Sequence, residues 1–151
     1  MAEPSSLRVV VFRVGALVCA APASIVREIL PPLPATRIPG VAGAVDGLVN
    51  VRGLLLTVID AHTLLGQPRP GAAESAAAED GAIVMVELGG RPYGLAVSQV
   101  LDFLSVPAEA IAPHEELPGV DPRLVRAVGR QGDRHFILLD IEALLAPMLG
   151  G

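Results

Sequence analysis

Apolar residues along the chain come in short runs, cut by glycine and proline at close intervals. Leu7 to Val14 is apolar and β-branched with Arg8 and Arg13 on the outward side, a period-two pattern that predicts a strand. Gly15-Ala16 can turn it into a second strand, Leu17 to Ala21. Pro22-Ala-Ser24 opens a short helical turn, in which Ser24 can cap the amides of Val26 or Arg27 and which Glu28 ends. Ile29-Leu30 stops at Pro31-Pro32, and Pro34 and Pro39 keep the chain extended as far as Gly40. Gly47 to Val51 and Leu54 to Ile59 read as a hairpin around Arg52-Gly53. Asp60 can cap a short helix, Ala61 to Leu65, ended by Gly66.

From Gln67 to Gly81 the sequence is Pro, Gly, Ala and acid without periodicity, which predicts a connector. The earlier pattern then returns. Strands are expected at Ala82 to Leu88 and Pro92 to Val97, with a turn of helix around Ser98 to Asp102 and a Pro-broken loop from Val106 to Pro122. Leu124 to Gly129 and His135 to Leu139 flank a turn at Gln131-Gly-Asp133, and Asp140 can cap a helix through Leu145.

The recurrence is residue by residue. Phe12–Leu30 lies on Val86–Leu104 at a spacing of 74, which puts Gly15 on Gly89, Ser24 on Ser98, Val26 on Val100 and Glu28 on Asp102. Val49-Asn-Val-Arg-Gly53 meets Val128-Gly-Arg-Gln-Gly132 at 79, and Asp60 meets Asp140 at 80. A repeat this long and only twofold is not a solenoid. Short strands at even spacing predict a mainly β protein of two tandem barrels, pseudo-duplicated, with short helices. The expected bounds are 12–66 for the first barrel, 67–81 for the linker and 82–146 for the second, with terminal elements free to swap between barrels. A groove between the barrels is the natural place for a partner.

Composition narrows the function. The chain has 151 residues, and a unit of half that length has a marginal core, so the halves should rest on each other. Trp is absent and Tyr occurs once, which leaves no stacking platform for bases or sugars. A formal charge of −5 and a pI near 5.1 argue against nucleic acid, which needs a basic face. Cys19 stands alone, so neither a disulfide framework nor a thiolate metal cluster is expected, and a reducing cytoplasm fits. Val14 to Ala23 mimics a signal peptide, but Arg13 interrupts it, Glu3 precedes it and the same pattern recurs at Val86. No apolar run approaches the ~20 residues that span a bilayer, so membrane insertion is not expected.

Catalytic chemistry has little to build on. Ser5, Ser24, Ser75, Ser98 and Ser105 lack a nucleophile-elbow frame. His62, His114 and His135 lie far apart in sequence with no metal-ligand spacing and no acidic cluster close by, so no metal or cofactor is expected. Asp60 and Asp140 each follow a strand and precede a Leu-rich turn, as helix caps do. Gly43-Ala-Val-Asp-Gly47 lacks the lysine and third glycine of a phosphate-binding loop. Two charges stand out: Arg52 at the tip of an apolar hairpin, and Glu28 between Val26 and Ile29. Their counterparts at these spacings are Gln131 and Asp102, so the acid persists and the arginine does not.

From Leu7 to about Leu149 the chain resembles the CheW family of chemotaxis coupling proteins. Ala20-Ala-Pro22, Val26-Arg-Glu28, Ile29-Leu30 and Ile38-Pro39 match the strand, turn and Pro-rich stretch of that family. Gly47-Leu-Val-Asn-Val-Arg-Gly53 with Val58-Ile-Asp60 matches its most specific motif, and Gly94-Leu-Ala-Val97 with Val100 the second-half pattern. Departures are Thr57 in place of a usual Pro, Ala61-His62 in place of Leu-Arg, and Ser98 in place of a common acid.

The resemblance implies a single CheW-like domain over 7–149 with two five-stranded, SH3-like barrels. It also implies a non-enzymatic adaptor, cytoplasmic and recruited to membrane receptor arrays. Such an adaptor joins the cytoplasmic tips of methyl-accepting chemoreceptors to the regulatory domain of a CheA-type histidine kinase. By motif, Val26, Glu28, Gly47 and Arg52 fall at receptor-binding positions. The alternatives are an adaptor of a related array controlling pili or surface motility, and a small-ligand-binding double barrel.

Overall fold

Two hairpins, one from each copy of the repeat, lie at the heart of this protein, buried on both faces. The computed structural model describes residues 6–33, 35–36, 45–68, 81–113 and 120–149. In the first copy these form β1 (Ser6–Val14), β2 (Leu17–Pro22), a 3₁₀ turn (Ala23–Ile25), β3 (Val26–Leu30), β4 (Val45–Val51), β5 (Leu54–Asp60) and α1 (Ala61–Leu64). The second copy follows as β6 (Ala82–Leu88), β7 (Arg91–Val97), β8 (Gln99–Pro107), β9 (Ile111–Pro113), β10 (Val125–Gln131), β11 (Arg134–Leu139) and α2 (Ile141–Leu149). Most of the connector and of the first Pro-rich stretch lies outside the described residues, as do 114–119; the rest of the expected loop from Val106 to Pro122 is not a loop throughout, since it holds the end of β8, a 3₁₀ turn (Ala108–Ala110) and β9.

The strands form two sheets, in the orders β8-β1-β2-β11-β10-β9 and β3-β6-β7-β5-β4. The hairpin β1–β2 therefore sits among strands of the second copy, and β6–β7 among strands of the first. Each inserts alike: β1 is antiparallel to β8 and β2 parallel to β11, as β6 is antiparallel to β3 and β7 parallel to β5. The bounds 12–66 and 82–146 thus follow the repeat along the sequence, while each sheet draws on both copies. The architecture is that of two SH3-like β-barrels, the six-stranded sheet carrying β9 as a short extra strand.

Period-two alternation explains the burial. Val9 and Val11 of β1 enter one barrel interior with Phe136 and Leu138, while Phe12 and Val14 face a central cluster. In β6, Ile83 and Met85 enter the other interior with Leu56 and Val58, and Val84 and Val86 face the same central cluster. That cluster takes residues from both sheets and both helices, including Ile59, Leu95, Leu139, Ile141 and Leu145. It is the core that makes one body of two barrels, and hydrophobic burial there holds the halves together.

Two expectations need correction. Val26–Leu30 and Gln99–Pro107 are strands, and the helical turn before β3 is only the three residues Ala23–Ile25, with no side-chain cap from Ser24. The cause is a β-bulge. The register shifts between Val26 and Glu28 in β3, and correspondingly opposite Leu101 in β8. The extra residue puts Val26 and Ile29 on one face three positions apart, a spacing that mimics a helix.

The spacing between the two copies also changes. The β4–β5 and β10–β11 hairpins correspond at 80 throughout, since Val45 and Ile59 pair as Val125 and Leu139 do, and Val51 and Leu54 as Gln131 and Arg134. Arg52 is therefore the counterpart of Gly132, and Gln131 that of Val51. The β1–β2 and β6–β7 turns keep the spacing of 74, with Gly15 and Gly89 at φ 59° and 58°.

Candidate functional site

Arg52-Gly53 forms the two-residue turn between β4 and β5, and both residues have positive φ, 52° and 89°. A hairpin turn of this kind matches the twist of its strands but favours Asn or Gly at the first position. Arginine is held there in the left-handed region. Asn50 Oδ1 accepts the Gly53 amide at 2.9 Å and steadies the turn.

The guanidinium grips Glu28 with two parallel bonds, Nη2 to Oε1 at 2.5 Å and Nη1 to Oε2 at 3.2 Å. Glu28 belongs to β3 and Arg52 follows β4, the two edge strands of the five-stranded sheet. The fork therefore spans the seam where this sheet curls toward closure. The hydrogen bonds from Arg52, helped by its charge, hold the Glu28 carboxyl below the usual carboxylate range, and Glu28 raises Arg52 in turn. Both side chains are well exposed, so the fork fixes orientation more than it stabilises the fold.

Beside it the surface is apolar. Leu54 and Leu55, the first residues of β5, are 44% and 61% exposed. Their counterparts at the other hairpin are Arg134 and His135, where Arg134 reaches Asp102 only at 3.7 Å. A shallow cleft lies there, lined by Val18, Asp102, Leu104, Asp133, Arg134 and His135. Where the first copy has Arg52 the second has Gly132, and the arginine that approaches Asp102 stands two positions further on, where the first copy has Leu54. One hairpin tip offers aliphatic surface with a fixed charge at its rim, the other a polar, loosely paired cleft. Phe103 on β8 adds a third large exposed apolar side chain, at 63%.

Of the four residues expected at a receptor face, the structure brings Glu28 and Arg52 together. Val26 packs against the central cluster. Gly47 is buried in β4 at its bulge, with φ 144°, a conformation few other residues adopt. Leu54 and Leu55 escaped the sequence reading because Leu54 to Ile59 is apolar at all but one position, so alternation could not reveal which side faces water. Asp60 caps α1 as expected, and it is also the acid beside His62, Oδ1 to Nδ1 at 3.0 Å. His62 Nε2 in turn meets Ser98 Oγ at 2.8 Å.

Together these features describe a pseudo-duplicated double-barrel domain with an exposed apolar hairpin tip beside a bidentate ion pair. The CheW-like domain matches residues 8–147, and the chain belongs to that family. A chemotaxis protein CheW of Klebsiella aerogenes is 30% identical over 112 residues, 74% of this chain, and the match spans 64% of that relative's length. One from Rhizobium meliloti is 32% identical over 136 residues, 89% of this chain and 84% of the relative. In three dimensions the chain is similar to the scaffolding protein TtCheW from Thermoanaerobacter tengcongensis, with a TM-score of 0.81, 24% identity and 92% of each chain covered.

Proposed function

We propose that this chain is a chemotaxis scaffold of the CheW type. It joins the cytoplasmic tips of methyl-accepting chemoreceptors to the regulatory domain of a CheA-type histidine kinase, and it acts without catalysis of its own. It works in the cytoplasm and is recruited to membrane receptor arrays. Family membership across residues 8–147 and relatives named for chemotaxis support the class.

The observation that carries the partner-facing part is the tip formed by Arg52, Leu54 and Leu55, with Glu28 orienting the arginine. A partner helix or barrel is held mainly by a few apolar anchors, with charges at the rim setting orientation and on-rate. Here Leu54 and Leu55 are the anchors and Arg52 the rim charge. Val26 and Gly47 support the face from below, Val26 by fixing β3 on the core and Gly47 by shaping β4.

The test is binding of a receptor-tip fragment and of the kinase regulatory domain to the parent and to a Leu54→Ser/Leu55→Ser variant, beside an unfolding curve. The expected result is unchanged unfolding with at least one partner weakened tenfold or more, since the two side chains lose most of their apolar contact area (about 1.4 kcal/mol per factor of ten). Full affinity for both partners would remove this tip from the interface.

A further inference from the structure

His62 and Ser98 are 36 positions apart in sequence yet in direct contact, Nε2 to Oγ at 2.8 Å. The contact is one link of a longer chain. Asp60 accepts from the His62 amide at 3.3 Å, the Thr63 amide at 3.1 Å and the Thr63 hydroxyl at 2.7 Å, and it faces His62 Nδ1 at 3.0 Å. A carboxylate only accepts, so Nδ1 carries the ring proton. In the neutral ring Nε2 is then the acceptor, and Ser98 donates its hydroxyl to it. Ser98 Oγ accepts the Gly15 amide at 3.0 Å.

This chain of bonds crosses from barrel to barrel. Asp60 and α1 end the five-stranded sheet, Gly15 turns β1 into β2 in the six-stranded sheet, and Ser98 joins β7 to β8. Gln67 reinforces it, taking the Ala16 amide on Oε1 at 3.1 Å while its own amide donates to the His62 carbonyl at 2.8 Å. A Cβ on Gly15 would come within 2.9 Å of that Gln67 oxygen, so the turn is tightly enclosed.

On the other side of the pseudo-dyad nothing equivalent is built among the described residues. The counterparts of His62 and Ser98 are Glu142 and Ser24, both exposed, and a Cβ on Gly89 would meet nothing within 4 Å. Serine, histidine and aspartate in this order resemble a hydrolytic triad. Here, however, the Gly15 amide, a group of the kind that stabilises an oxyanion, is engaged by Ser98 Oγ itself.

We propose that Asp60, His62, Ser98 and Gly15 form a one-sided polar latch that fixes the angle between the two barrels, with His62 and Ser98 as its positioning residues. The latch stands independently of the adaptor reading, and it sets the relative position of any surfaces a partner would span.

The experiment is NMR on the full chain, comparing the parent with Ser98→Ala and Ser98→Thr. In the parent, the His62 ring should carry its proton on Nδ1. Loss of one partly buried hydrogen bond should speed Gly15 amide exchange in Ser98→Ala by roughly three- to tenfold. The amides of Val84 and Leu95 in the central core should keep their protection. Residual dipolar couplings should show the two sheets reoriented in Ser98→Ala and restored in Ser98→Thr, which keeps the hydroxyl. A parent ring protonated on Nε2 and not on Nδ1 would overturn the latch whatever the variants do. So would a Ser98→Ala protein with parental Gly15 exchange or parental sheet orientation.

Discussion

At Arg52 the backbone and the side chain want different things. A φ of 52° suits glycine or asparagine, yet only arginine supplies the fork on Glu28. Arg52→Gly should therefore raise the unfolding midpoint, and Arg52→Ala, which keeps a Cβ in the left-handed region and loses the fork, should not. Both should weaken binding of the partner proposed to dock on the tip. Unfolding curves and binding isotherms on the two variants separate strain from recognition, and a more stable Arg52→Ala would contradict the strain. Because the Glu28 carboxyl lies below its usual range in the folded protein, its small contribution is present above the ordinary carboxylate pKa. It is lost only as pH falls below the ordinary value and through the lowered one. Cys19 has the opposite environment. Full burial pushes its thiol up to about 12, so at pH 8 it is protonated and enclosed. Alkylation should proceed only as fast as the protein opens, and rapid labelling of the native state would contradict that burial.

Among the elements, the paired hairpins show how one fold accepts two different interiors. Val49 faces Leu56 across β4–β5, and at the equivalent positions of β10–β11 Gly129 faces Phe136. A Cβ on Gly129 would run into the Phe136 ring, which is 1% exposed in the second barrel interior. One pair divides its volume between two aliphatic side chains, and the other gives nearly all of it to an aromatic ring. Gly129→Val alone should cost about 1–3 kcal/mol by overpacking. Adding Phe136→Leu should recover most of that loss, since it recreates the pair of the first barrel, and denaturant unfolding of the single and double variants measures the coupling. These hairpins were legible in the sequence because a turn glycine separates two runs of strand length in each. The strands β3 and β8 were not, because the bulge at Arg27 and Leu101 imposes a spacing that a helix would share. The fork was legible in outline, as a charge at a hairpin tip and an acid that recurs. The apolar tip beside it was not, because Leu54 and Leu55 continue an apolar run whose inner and outer sides only the fold distinguishes.

For the whole molecule, the exchange of hairpins has a mechanical consequence. Each barrel is completed by two strands of the other copy, and the central cluster draws on both sheets. A chain cut within the connector, after residue 74, should give two fragments that are each unfolded alone and that combine one to one into the native fold, as circular dichroism and NMR can follow. A first fragment that folds by itself would contradict the exchange. The repeat announced two copies and left terminal elements free to swap, but not which elements exchange, since a strand carries no local mark of which neighbour completes its hydrogen bonds. The scaffold reading is tested most directly by reconstitution: autophosphorylation of the cognate histidine kinase, measured with receptor-tip assemblies in the presence and absence of this chain. The account predicts that kinase and receptor stay uncoupled without the chain, couple when it is added, and couple poorly with the Leu54→Ser/Leu55→Ser variant. Kinase activity that ignores the chain at saturating concentrations of both partners would contradict it.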